Sequence, residues 1–349
     1  MSSIETVTYN TAEDFLKELS LCNSSWWEQN SNCEWIFRGQ SSNSQLIPSL
    51  YRKLNSNTSS ELAYQTIFSK LHTKLIDTVP NMDATINNMV GDNRYRLSEI
   101  QKRNLSEIIK AAFIEIMLTE NFLLECNRVR LSTPTLKLFE AQHSGISSVK
   151  YFYNRLINDL VADFTHHNFG FKIQLRSGFR RLVEFHYPES YAIARHHNIL
   201  SRLLDWSQEP LIAGFFSAFN HTGEDNIAVW ALNKKYLNAN IGYGQISFYD
   251  KLTKSGLEFL SLQKGLFTDM LGAETYYYTH GEWPTLDQYL LTTYTNHVHV
   301  PIPQNQYLRK IELIASEKEE LLRRLNRMDI SKHTLMPTYD NVSQSIMNK

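Results

Sequence analysis

Residues 195–219, RHHNILSRLLDWSQEPLIAGFFSAF, set two histidines, an arginine, an aspartate and a tryptophan directly in front of an unusually apolar segment. Pro210 suits the first position of a helix, because the N–H it lacks would have no intrahelical partner there. Ser207 or Asp205 can cap the preceding turn, so the pattern predicts a helix starting near Ser207. Leu211, Ile212, Phe215, Phe216 and Phe219 cover more than one face, as expected of a helix buried against a sheet or other helices. Its amino end would then present free N–H groups and the positive dipole end beside Arg202 and His197. That combination suits a phosphate, a carboxylate or a nucleotide. The plainer alternative, in which Arg202 and Asp205 pair with each other and brace the turn, stays open on pattern alone.

Upstream, Glu5–Tyr9 reads as a short strand, and Thr11 with Asp14 as the cap and first turn of a helix running to about Leu21. Cys33–Gly39 (CEWIFRG) is aromatic, β-favouring and ended by a glycine, so it reads as a strand carrying Arg38 at its end. An arginine there can set a planar, permanently charged fork on a phosphate or carboxylate, with Gly39 letting a ligand approach the backbone; a surface ion pair is the competing role. Leu46–Tyr51 is a proline-marked connection. From Ser59 to about His186 the period becomes helical. Tyr64, Ile67, Phe68, Leu71 and Leu75 share a face, as do Leu105, Ile108, Ile109, Ala112, Phe113, Ile116 and Met117, and again Val149, Phe152, Tyr153, Leu156, Ile157, Leu160, Val161 and Phe164. Asn81–Asn93 is polar enough for a loop, and the adjacent His166 and His167 cannot point into one metal site.

Downstream, Ile227–Leu232 reads as a buried strand after a turn at His221–Asp225. Ser261–Thr268 brings Gln263 beside Gly265, and Leu286–Tyr294 reads as a helix. Asn296–Ile302 alternates like an edge strand, with His297 and His299 on one face but no third ligand at a metal-binding spacing. Lys310–Ala315 is strand-like, and Ser316 with Glu319 forms a capping-box pattern opening a charged helix to about Arg327, closed by a turn at Met328–Ser331.

With 349 residues the chain is long enough for one large domain with an insertion or for two domains. A 42% hydrophobic and 20% charged composition is that of a globular chain rather than a disordered one. The formal net charge of -1 removes the overall basic footprint of a dedicated nucleic-acid binder. Three cysteines without a CxxC pair point to reduced thiols and a cytoplasmic setting. The amino-terminal residues lack a basic-then-apolar signal, and no segment approaches the ~20 apolar residues of a membrane span. P-loop, dinucleotide-fingerprint, GxSxG and HExxH motifs are absent, so those readings have no support. The expected fold is α+β: a mixed or mainly antiparallel sheet packed by helices, with residues 1–56 and 186–349 forming one domain around an all-helical insertion at 57–185.

Four separated pieces resemble the FRG domain family, named for a Phe-Arg-Gly motif that stands here as Phe37-Arg38-Gly39. Pro48-Ser49-Leu50 fits its proline-serine-leucine segment, His196-His197 through Arg202-Leu203-Leu204-Asp205-Trp206-Ser207 its long central motif, and Gln263, Gly265 and Phe267 its glutamine-x-glycine-x-phenylalanine element. The closing strand, helix and proline segment look like Lys310–Asn341. Arg195 and Asn198 stand where glutamine and glycine are common, and Ser201 where threonine is frequent. The order of these elements is also similar to that of the NAD-gripping elements of ADP-ribosyltransferases. That resemblance implies NAD as substrate, with Arg38, Gly39, His196, Arg202 and Ser207 binding it and His197, Asp205 and Gln263 at the chemistry. Arg38 would hold a phosphate or the nicotinamide ribose, Arg202 the pyrophosphate and Gln263 a ribose hydroxyl, while His197 acts on the acceptor and Asp205 orients it or Arg202. Most such enzymes have glutamate where Gln263 stands. The expectation is a nucleotide-binding transferase or NAD hydrolase, as in a toxin or defence effector. The alternatives are a non-catalytic module sensing phosphate or nucleic acid, or a metal-dependent nuclease using Asp205 and histidines; the helical insertion could seat a protein partner.

Overall fold

The computed structural model describes residues 4–27, 33–55, 98–133, 188–219, 221–240, 246–250, 252, 258–297 and 304–347. The elements run β1 (Thr6–Tyr9), α1 (Ala12–Leu19), β2 (Trp35–Ser41), α2 (Ser49–Asn55), α3 (Glu99–Arg128), α4 (Pro188–His196), β3 (Leu204–Ser207), α5 (Pro210–Phe219) and β4 (Ile227–Asn233). They continue with α6 (Lys234–Asn240), β5 (Ile246–Tyr249), α7 (Glu258–Leu262), β6 (Gly265–Met270), α8 (Ala273–His280), α9 (Leu286–His297), β7 (Leu308–Leu313), α10 (Lys318–Arg327), α11 (Lys332–Leu335) and α12 (Tyr339–Met347). The chain forms two compact units: residues 1–46, 204–269 and 290–349 in one, 47–203 and 270–289 in the other. The helical unit therefore also takes in residues 47–56, 186–203 and 270–289, which the sequence alone assigns to the sheet domain.

The first unit is built on a seven-stranded mixed sheet of order β1-β7-β4-β2-β3-β6-β5, so the α+β expectation holds. Only β1 with β7 is a parallel pair among the registers described, while β2, β3, β4, β6 and β7 meet their neighbours antiparallel. The period of two along β2 and β4 sends Phe37, Val229 and Ala231 to the face that packs with Phe15 and Leu19 of α1, Ile212 and Phe215 of α5 and Leu321 and Leu325 of α10. β4 is buried at all seven positions, as its unbroken apolar run foretold. Trp26 closes one end of this core edge-on to Phe37, with ring centroids 5.1 Å apart, and Arg309 lies 4.6 Å from the Trp35 ring.

α5 begins at Pro210 rather than near Ser207, because Leu204–Ser207 is a strand. Its burial on more than one face has a specific cause at Gly39. A methyl group there would come 1.9 Å from the Ala213 carbonyl oxygen and 2.5 Å from the Ser217 nitrogen. Helix and sheet thus touch backbone to backbone at that residue. Other boundaries also shift. Ser49–Asn55 is a helix rather than part of a connection, and α9 continues through His297, so the expected edge strand does not begin at Asn296; residues 298–303, with His299, lie outside the described residues. The capping box expected at Ser316 and Glu319 is not formed, since a 3₁₀ turn at Ala315–Glu317 leads into α10 without a side-chain cap bond.

The described part of the second unit is helical. α3 has thirty residues, roughly 45 Å at 1.5 Å per residue, and starts with a reciprocal capping box between Ser98 and Gln101. Leu105, Ile108, Ala112 and Met117 are buried, as are Tyr191 and Ile193 of α4. Tyr51 of α2 stacks on Trp283 with centroids 4.3 Å apart, and Asn55 clamps the Trp283 main chain through both its N–H and its carbonyl. The other helical stripes, at 64–75 and 149–164, the loop at 81–93 and His166 and His167 fall outside the described residues.

Candidate functional site

β2 pairs with β4 along its whole length, from Trp35↔Asn233 to Ser41↔Ile227. Its other edge meets β3 at one residue pair only, Phe37↔Ser207. β3 is zipped at all four residues to β6 on its far side. The main chain of β3 ahead of Ser207 must therefore find a partner other than a ladder strand. Arg38 supplies it: Nη1 donates to the Asp205 carbonyl at 2.8 Å and approaches the Asp205 carboxylate at 3.3 Å. Gln40, two residues on and so on the same face of β2, accepts from Arg38 Nε at 3.3 Å while its own amide donates to the Ser44 carbonyl at 2.8 Å. The guanidinium is held from two sides where the sheet is least continuous. Its side chain is 14% exposed and that of Asp205 37%. The 3.3 Å charge contact is looser than the ~2.7–2.9 Å of a well-made guanidinium–carboxylate bond.

The other end of β3 is closed. Ser207 Oγ donates to the Gln263 carbonyl at 2.8 Å and accepts from the Glu209 N–H at 3.0 Å. The Gln263 side-chain amide donates to the Leu335 carbonyl at 3.3 Å, and Lys264, at φ 46°, receives the Gln208 N–H on its carbonyl and pairs with Glu209. These bonds tie the β3–α5 turn to the α7–β6 turn and to α11. The space beside Gly265 is filled by Leu260, whose Cδ1 lies 2.2 Å from where a Cβ would stand.

In the helical unit, Arg202 is buried among carboxylates. Its Nε donates to Glu115 Oε2 at 2.6 Å and its Nη1 to Glu274 Oε1 at 2.7 Å, while its own N–H and the Ser201 hydroxyl both donate to Glu115 Oε1. Glu115 is fully buried and Glu274 nearly so. Burial drives the Glu274 carboxyl above the usual range, Arg202 pulls it down and the charge of Glu115 adds to the rise. His196 and His197 close α4, their rings edge to face at 5.3 Å, and His197 also lies on the Phe122 ring at 5.8 Å. Partial desolvation lowers the His197 pKa below the ordinary imidazole value, which keeps that ring a neutral base near pH 7. Asn198, at φ 64°, ends the helix in a left-handed turn: its N–H donates to the Arg195 carbonyl and the Ile199 N–H to the Ala194 carbonyl. Asn198 thereby provides the conformation that a glycine commonly provides at this place in the resembled family.

A model of the FRG domain family matches residues 163–226. The chain carries an FRG domain. No curated protein and no solved structure matches the chain. The described part of the FRG match comprises α4, the Arg202 segment, β3, α5 and the turn into β4, so it draws on both units. The Phe37-Arg38-Gly39 motif and Gln263 stand outside the matched residues.

Against the expected site of the FRG domain, Arg38 meets Asp205, and Ser207 meets Gln263, all within the sheet unit. His196, His197 and Arg202 lie in the helical unit, each with contacts of its own. Two expected roles change. Arg202 pairs with Glu115 and Glu274 and is a buried brace between α3 and α8. Gly39 and Gly265 give their room to α5 and to Leu260 rather than to a ligand. Sequence reasoning missed Gln40, which the period of two along β2 could have singled out, and Glu115 and Glu274, which sit in helical stretches without any local mark of burial. Among the described residues no group of three or more His, Cys, Asp or Glu is placed to hold a metal ion, and no helix is long and apolar enough to cross a membrane.

Proposed function

We propose that this FRG domain binds a nucleotide of the NAD type at the β2–β3 junction, with Arg38 as the phosphate anchor, and acts on it in the manner of an ADP-ribosyltransferase or NAD hydrolase. The observation that carries the reading is the single-pair ladder between β2 and β3, with the Arg38 guanidinium set into it beside a carboxylate that reaches solvent. A guanidinium held in place by Gln40 and by a main-chain carbonyl sets a permanent positive charge at a fixed position, as phosphate binding asks. In the reaction the bond between nicotinamide and ribose breaks, nicotinamide leaves, and ADP-ribose passes to an acceptor nucleophile, or to water, with loss of the acceptor's proton. Three free cysteines support a reducing, cytoplasmic setting, and a toxin or defence role is the setting in which such chemistry would act. The test is incubation of the full chain with NAD. Nicotinamide release that is lost in Arg38→Gln supports the reading, and neither binding nor release by the wild-type chain sinks it.

A second reading has one observation of its own. The Gln263 amide is neutral and donates to the Leu335 carbonyl, so it cannot offer the negative charge that an oxocarbenium-like transition state calls for. We accordingly hold a non-catalytic nucleotide or nucleic-acid sensor as the alternative. NAD binding that fails in Arg38→Gln, without any nicotinamide release by the wild type, would select it.

A further inference from the structure

We propose that the indole N–H of Trp230 is a second anchor beside Arg38, donating to a pyrophosphate oxygen of the bound nucleotide; this rests on the reading of Arg38 as the phosphate anchor. Cross-strand register sets Arg38 of β2, Trp230 of β4 and Lys310 of β7 in one row. Directly opposed residues share a face of the sheet, and this face is turned away from the core of Phe37, Val229 and Ala231. Neighbouring strands lie about 4.8 Å apart, a separation that the oxygens of two linked phosphates can span. Trp230 is 5% exposed, and its Nε1 has no hydrogen-bond partner among the described residues. Trp26 and Trp206, buried in the same unit, each have an acceptor: Trp26 Nε1 donates to the Glu18 carbonyl at 2.7 Å and Trp206 Nε1 to Thr268 Oγ1 at 2.8 Å. A buried donor left unpaired is costly, and a phenylalanine would carry no such cost. The indole therefore has an acceptor to meet that the described chain does not itself provide. Lys310, over the Trp230 ring at 5.4 Å from its centre, is already engaged by the Ser42 carbonyl and hydroxyl and by Glu312. Arg38 stands directly opposite Trp230, so a nucleotide with one phosphate on Arg38 brings the oxygens of its second phosphate to the indole. The Arg38 and Lys310 side chains, 14% and 15% exposed, carry the row out to solvent on either side of the ring.

NMR of the full chain with isotope-labelled indole nitrogens tests this, the Trp230 signal being assigned through its own main-chain amide so that the reading depends on no variant. Saturating NAD should move the Trp230 indole proton downfield and slow its exchange with deuterium. Calorimetry should give Trp230→Phe an affinity for NAD about tenfold weaker than that of the wild type, with thermal melting to show that the variant is folded. A Trp230 signal that stays in place while NAD binds overturns the second anchor and leaves Arg38 standing, as does a folded Trp230→Phe that binds NAD as tightly as the wild type. If NAD binding survives Arg38→Gln, or the wild type binds no NAD, the anchor reading fails and takes the second anchor with it.

Discussion

Arg38 in the sheet unit and Arg202 in the helical unit each stand against carboxylates, and the two clusters differ in almost every respect that matters for function. Arg202 lies among Glu115 and Glu274 with all three side chains 6% exposed or less, at 2.6 and 2.7 Å. Arg38 meets the Asp205 carboxylate at 3.3 Å, and that carboxylate is partly open to solvent. A cation buried with two acids is a brace whose removal leaves uncompensated charge in a low-dielectric interior. A cation in a loose pair at a discontinuity of a sheet can exchange its partner. Both residues carry the same side chain in motifs of the same resemblance, so residue type and motif membership do not settle which one can receive a ligand; the burial of the counter-charges does.

The largest effect that would separate the two is on stability. Arg202→Ala orphans two buried carboxylates and should cost about 3–5 kcal/mol. Arg38→Ala removes its bonds to the Asp205 carbonyl, to the partly exposed Asp205 carboxylate and to Gln40, at a cost of roughly 1–2 kcal/mol. Urea unfolding of both variants reads the difference, and equal midpoints would mean that burial does not distinguish the clusters. Next comes Gly39→Ala, which forces the α5 backbone off the sheet at a 1.9 Å approach and should cost about 1–3 kcal/mol. Gly265→Ala meets only the end of the Leu260 side chain and should cost less. If Gly39→Ala melts with the wild type but loses NAD binding, the glycine serves the ligand after all.

The sheet-side reading of the chain succeeded where periodicity and neighbouring residues are sufficient. β1, β4, β7, the Thr11-capped α1 and the all-round burial of α5 follow from alternation, capping chemistry and apolar density in short windows. The site was legible only in part. That Arg38 ends up beside Asp205 depends on a contact spanning 167 positions, and no local rule reports where β3 leaves β2. The destination of Arg202 was illegible for a related reason: its partners lie 87 and 72 positions away, and a glutamate in an amphipathic helix is ordinarily a solvated one. The capping box at Ser316 failed because a 3₁₀ turn occupies those residues, a competition that the motif alone does not reveal.

The buried cluster also makes a prediction in pH. Glu274 has its folded pKa raised, by burial first, above an ordinary value of 4.5. The native state then holds a proton that the unfolded chain gives up, so the stability associated with this group is full below pH 4.5 and is lost as pH rises through the folded pKa. Glu274→Gln keeps an acceptor for Arg202 but cannot titrate. The stability of the wild type relative to Glu274→Gln should therefore fall as pH increases above 4.5 and then level off. A difference that stays flat, or rises, would show that Arg202 outweighs burial.

The smallest effect lies at the end of α4, where a left-handed residue precedes the Arg202 segment. At φ 64° Asn198 tolerates a conformation that costs most L-residues about 1–2 kcal/mol, because its short polar side chain suits the left-handed region. Asn198→Gly should change stability by less than about 1 kcal/mol, relief of backbone strain being offset by the greater freedom of the unfolded chain. Asn198→Ala has no such offset and should lose about 1 kcal/mol. The two helix-closing bonds, from Asn198 N–H to Arg195 and from Ile199 N–H to Ala194, require that turn, and those bonds direct the chain from His197 toward Ser201 and the buried arginine. An alanine variant as stable as the wild type would mean that the turn has an alternative conformation. The placement of Arg202 would then follow from its two acids alone, and the asparagine at this position would be an incidental departure from the family pattern rather than a working substitute for glycine.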